Sequence, residues 1–137
     1  MRTVKINGEE FNLQFRHVNN SNPGSYIKAA ENGVQMAECY KSAYISGQID
    51  LHAYEQRMID DSGMTINELV DPRLISTTLN GATVCHIEND QREVLATGYS
   101  FCSEEDQFNK KLGRQIALGR AIAEFNRFSR IFVAKPL

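Results

Sequence analysis

The chain has 137 residues, 42% of them apolar and 23% charged, with a formal net charge of -2. That is the size of a single domain, 1–137, large enough to bury a core without disulfide or metal staples. This balance excludes a broadly basic nucleic-acid binder, and no window approaches the ~18 apolar residues of a membrane span.

The N-terminal "MRTVKINGEEF" is polar and has no apolar signal core, so a cytosolic protein is expected. Asn7-Gly8 lies between two runs of alternating apolar residues. Both turn positions of such a pair favour positive φ, which predicts a hairpin with strands over 2–7 and 9–16. "HVNNSNPG" is turn chemistry leading into a helix that starts near Pro23 or Ser25. Ile27, Ala30, Val34, Ala37, Tyr40, Ala43 and Tyr44 follow at helical spacing and are expected to form its buried face. Gly47 closes that helix, Asp50 caps a second over "LHAYEQRMIDD", and Thr65 with Glu68 is a capping box opening a short third. Asp71-Pro72 is expected to end it. β-Branched and aromatic residues then predict strands over 74–79, 82–88 and 92–101, with turns at Asn80-Gly81 and at "ENDQ", 88–91. A last helix is expected from Ser103 to Phe128, and the tail "RIFVAKPL" as an edge strand. The fold class is α+β: a small antiparallel β-sheet packed against helices, with a long cationic C-terminal helix.

Cys39, Cys85 and Cys102 are odd in number and widely spaced, and His17, His52 and His86 are equally scattered. No CxxC, HExxH or paired His/Cys spacing occurs, so neither a disulfide framework nor a metal site is expected. No GxSxG or P-loop is present, and the predicted protein is not an enzyme and has no cofactor. A nucleophilic Cys102 working with His86 is disfavoured by the three acids that follow the cysteine.

The C-terminal helix is the unusual segment. Ser103 and Asp106 have capping-box spacing, and Glu104, Glu105 and Asp106 suit the first turn of a helix, where the dipole favours negative charge. From Gln107 to Arg130 the cations are Lys110, Lys111, Arg114, Arg120, Arg127 and Arg130, against the single anion Glu124; this segment is +5 and the rest of the chain -7. Phe108, Leu112, Ile116, Gly119 and Ala123 share one side, expected to pack on the sheet, with Leu118, Ile122 and Phe125 widening the apolar arc. Gly113, Ala117 and Ala121 form a strip of small residues on another side, flanked by Lys110 and Arg114 on one edge and by Asn109 and Arg120 on the other. Each interior glycine costs a helix about 1 kcal/mol relative to alanine. That cost suits close approach of a second helix, or of an anionic ligand beside Lys110 and Arg114. It also suits glycines that serve core packing alone.

The stretch "DQFNKKLGRQIALGRAI", 106–122, resembles the first family of Thoeris anti-defence sponges: an acid, an aromatic two residues later, a cation, then Gly-Arg, Ile-Ala and Gly-Arg-Ala. The resemblance covers 102–123, with a looser fit over "EVLATGYSFC", and leaves 20–72 unmatched. It implies a phage protein acting in the host bacterial cytosol, which sequesters cyclic nucleotide immune signals without degrading them. The implied ligands are cyclic ADP-ribose isomers and, in some members, cyclic oligonucleotides. It also implies a homo-oligomer with pockets where subunits meet. Arg114 matches the pattern directly; Lys110 stands where many relatives carry arginine, and can act as a point charge. The ligand-binding candidates are thus Arg114, Lys110, Gly113, Asn109 and Arg120, together with Tyr99 and Phe101. The last two alternate along the preceding strand and share a face, where an aromatic ring can stack an adenine; they suit the core of the sheet equally well. The competing readings are an inhibitor of the anti-CRISPR type and a small nucleic-acid-binding module acting through the cationic helix. The -7 carried elsewhere would repel a duplex extending past that helix.

Overall fold

The computed structural model describes residues 2–51 and 53–133, without the side chains of Tyr54 and of 128–133. His52 and residues 134–137 of the expected edge strand lie outside the described residues. β1 (Arg2–Ile6) and β2 (Glu9–Asn19) precede α1 (Tyr26–Ile45), α2 (Ala53–Ser62), α3 (Ile66–Leu69) and α4 (Pro72–Thr78). Then come β3 (Leu79–Glu88), β4 (Val94–Ser103) and α5 (Lys110–Val133). The strands form one antiparallel sheet in the order β1-β2-β3-β4, and the fold is α+β. By contacts the chain divides into two compact units. One holds the described residues up to His17, Thr83–Ser100 and those from Asn109 onward; the other holds Val18–Ala82 and Phe101–Phe108.

In the first unit, Asn7 (φ 54°) and Gly8 (φ 82°) make the hairpin turn, both residue types that tolerate positive φ. Its register runs from Arg2 opposite Leu13 to Ile6 opposite Glu9. The core joins Ile6, Phe11, Leu13, Cys85, Ile87, Ala96, Ala117 and Ala121, with Leu118, Ile122 and Phe125 packed at its margin. Phe11 and Phe125 meet at 4.9 Å between ring centroids.

The face of α5 that is buried is not the expected one. Ala117 and Ala121 are fully buried and Gly113 is buried, whereas Leu112 is 52% and Ile116 37% exposed, and Gly119 and Ala123 face solvent. The reason is Gly98 on β4. A Cβ there would run into the Ala117 carbonyl oxygen and the Ala121 backbone nitrogen. Helix backbone and strand backbone therefore touch, which only small residues on both sides allow. Nothing in the described residues lies within 4 Å of a Cβ placed on Gly119, so Gly119 is not where the sheet comes close.

The start of α5 differs too. Ser103 Oγ donates to Asp106 Oδ2 at 2.9 Å, but within a turn after β4. The helix begins at Lys110, with the Leu112 N–H bonded to Asn109 Oδ1 at 3.1 Å. Its C-terminal end takes in Arg130–Val133, part of the tail expected as a strand.

In the second unit, Ser25 caps α1 through the Lys28 N–H. The buried face of α1 is Asn32, Gly33, Met36, Ala37, Cys39 and Ala43; Ile27 (74% exposed), Ala30 and Val34 (46% exposed) point to solvent, against expectation. A Cβ on Gly33 would lie 2.5 Å from the Pro72 carbonyl oxygen, so α4 seats directly on that glycine. The segment expected as a strand over 74–79 is largely α4. Asp71 caps it through the Arg73 N–H, Pro72 occupies its first turn, and Thr77 and Thr78 hydroxyls donate back to the Leu74 carbonyl. Capping and docking on α1 outweigh the β-branched composition. Thr65 caps α3 as its spacing predicts. Asn80-Gly81 is not a turn but lies inside β3, where Gly81 leaves room for the Phe108 ring. Phe108 thus precedes α5 instead of belonging to its face.

Candidate anion-binding site

The first unit contains a concavity of about 420 Å³, lined by Arg2, Leu13, Gln14, Phe15, His17, Lys110 and Arg114. This lies within the range of about 300–1,000 Å³ usual for small-molecule sites. Alternation along β2 brings Leu13, Phe15 and His17 to one face. The hairpin register sets Arg2 beside Leu13, and its guanidinium stands 5.2 Å from the centre of the Phe15 ring. Lys110 and Arg114, one turn apart on α5, complete the lining.

Three cationic side chains thus converge with one histidine, and among the described residues no carboxylate lines the concavity. Two further features make it positive. α5 has Lys110 and Lys111 in its first turn and no acid there, so side-chain charge adds to the positive end of the helix dipole. His17 has its pKa held below 6.5 by burial first, then by Arg114, Lys110 and Arg2. Its Nδ1 is 3.0 Å from Thr83 Oγ1. The same hydroxyl oxygen would be 2.5 Å from a Cβ on Gly113. Gly113 therefore does not open the helix to a ligand, as expected from sequence; Thr83 fills that space.

The remaining candidates do not line this concavity. Asn109 caps α5. Arg120 Nη1 donates to the Tyr99 carbonyl at 2.7 Å. Farther along α5, Arg127 pairs with Glu124 at 2.8 Å. Phe101 packs edge-on against Tyr40 at 5.5 Å in the core of the second unit, not in the concavity, and Tyr99 does not line it either. Of the seven candidates only Lys110 and Arg114 stand in this site. Arg2, Phe15 and His17 were missed, although the Asn7-Gly8 turn and the alternation of β2 hold the signal that groups them.

Burial and then Asp106 push the Cys102 thiol up, and burial alone pushes Cys85 up to about 12. His86 Nδ1 is engaged with Thr97 Oγ1 at 2.9 Å. Among the described residues no group of three His, Cys, Asp or Glu side chains is placed to hold a metal ion, and no helix is long and apolar enough to cross a membrane. No protein-family model, curated protein or solved structure matches the chain.

Proposed function

We propose that the protein binds a phosphate-bearing cyclic nucleotide signal and sequesters it unchanged, as a phage anti-defence sponge acting in the host cytosol. The observation that carries this reading is the convergence of Arg2, Lys110, Arg114 and His17 on one concavity whose described lining holds no carboxylate. Arg2 and Arg114 suit bidentate contacts to phosphate oxygens, and Lys110 adds a point charge. Leu13 and Phe15 supply apolar surface for the rest of a nucleotide. Among the described residues the lining holds no hydroxyl, thiol or carboxylate, and the Thr83 hydroxyl that meets His17 is buried beneath α5, which supports release of the ligand unchanged. The exposed Leu112, Ile116 and Ala123 on α5, with Gly119 open between them, form the surface through which a homo-oligomer would assemble; light scattering at micromolar concentration tests that part separately.

The deciding experiment is a thermal-shift panel of cyclic ADP-ribose isomers, cyclic dinucleotides and single-stranded oligonucleotides. A ligand a hundredfold above its dissociation constant adds ~2.7 kcal/mol of stability. A shift with a cyclic nucleotide, and recovery of that nucleotide intact after heating, supports the sponge. A shift with oligonucleotides alone favours the nucleic-acid module instead, and a hydrolysed product makes the protein an enzyme.

A further inference from the structure

Resting on the reading of this concavity as an anion site, we propose that His17 couples phosphate binding there to the uptake of one proton from solvent. The charged groups that act on the ring are Arg2 on β1 and Lys110 and Arg114 on α5, and its Nδ1 meets the Thr83 hydroxyl on β3. Among the described residues no carboxylate lines the site, so a further positive charge on the ring is opposed by three cations until an anion enters. A phosphate among these side chains reverses the local field. The imidazole then gains a proton and becomes a donor at both nitrogens.

Thr83 makes this possible without movement of the ring. A hydroxyl donates to a neutral ring nitrogen and accepts from a protonated one, so the 3.0 Å contact serves either state. Gly113 provides the space in which that hydroxyl sits beneath α5. Burial and the three cations favour the neutral ring in the unliganded site, which is the state from which a proton can be taken up.

The test is calorimetric titration of the full chain with ADP-ribose, whose pyrophosphate diester has no group titrating near neutrality. Runs in buffers of different ionisation heat count protons, and runs across the acidic side of neutrality give the pH profile. Affinity is expected to rise by up to about tenfold per unit fall in pH, with uptake approaching about one proton per ligand. His17→Gln is expected to bind with a flat profile and no uptake. Binding by the parent without proton uptake, or a slope unchanged in a folded His17→Gln, overturns the coupling and leaves the anion site standing. Absence of binding at every pH by ADP-ribose and by the cyclic nucleotides alike removes both. Should His17→Gln not fold, the proton count on the parent decides alone.

Discussion

Gly113 and Arg114 are adjacent in sequence yet do opposite things. Arg114 lines the concavity, while Gly113 is buried against Thr83. Arg114→Ala removes charge-assisted hydrogen bonds to a phosphate, each typically ~1.5–3 kcal/mol. Affinity for ADP-ribose is expected to fall by one to two orders of magnitude, at about 1.4 kcal/mol per factor of ten. The melting temperature of the unliganded protein should barely change. Gly113→Ala works through structure. The new methyl gains helix propensity of ~1 kcal/mol but displaces the Thr83 hydroxyl, leaving His17 without that partner. Stability is expected to stay within about 1 kcal/mol of the parent while ADP-ribose affinity drops about tenfold. Calorimetry and thermal melts on the two variants separate the roles. Equal affinity in the parent and a folded Gly113→Ala would show that the Thr83–His17 contact does not serve the ligand.

The seat of α5 on β4 is governed by clearance between backbones. Gly98 faces the Ala117 carbonyl and Ala121, where no Cβ fits. Gly98→Val is therefore expected to destabilise by ~2 kcal/mol or more, since neither backbone can yield cheaply. Denaturant titration would show it as a lowered midpoint. A parent-like midpoint would mean that α5 moves without cost, and that the concavity it walls is not rigid. The other end of the element is set by its cap. Asn109→Ala leaves the Leu112 N–H without its side-chain acceptor. A loss of ~1 kcal/mol is expected. The fraying falls on the turn carrying Lys110, so ADP-ribose affinity should weaken by a few-fold, visible in the same titrations.

At the scale of the whole molecule, the two described histidines give stability a direction with pH. Both pKa values are lowered in the folded chain: His17 by burial, Arg114, Lys110 and Arg2, and His86 by burial and Arg16, partly opposed by Glu88. Above their unfolded values of about 6.5 both rings are neutral in either state and contribute nothing to the pH dependence. Below that, unfolded imidazoles bind protons that the folded ones refuse, so stability falls as pH falls until the folded values are passed. Denaturation midpoints are expected to decline from pH ~7.5 to pH ~5.5, and the double variant His17→Gln, His86→Gln to flatten that decline. A midpoint that rises toward acid would contradict the burial of both rings. Phosphate bound in the concavity should oppose the His17 part of the decline, because it favours the protonated ring.

Features that depend on neighbours within a few residues were legible in the chain itself. Asn7-Gly8 supplied positive φ for the hairpin, Thr65 reached the Glu68 N–H, and Asn89 accepts from the Gln91 and Glu93 N–H groups in the predicted turn. Each is settled by local dihedral preference and a hydrogen bond spanning at most four residues. The concentration of positive charge near Lys110 and Arg114 was legible for the same reason. The buried side of α5, the helical state of 72–78 and the membership of the site were decided only in three dimensions. Hydrophobicity pointed to Leu112 and Ile116 as the packed face, but glycine at position 98 let the backbones meet and drew Gly113, Ala117 and Ala121 inward instead. Composition favoured a strand over 74–79, but the space left by Gly33 held a capped helix. Arg2 and Arg114 are far apart in sequence; strand pairing and the seating of α5 bring them to one concavity, because close approach of backbones, unlike local propensity, depends on residues that only the fold makes neighbours.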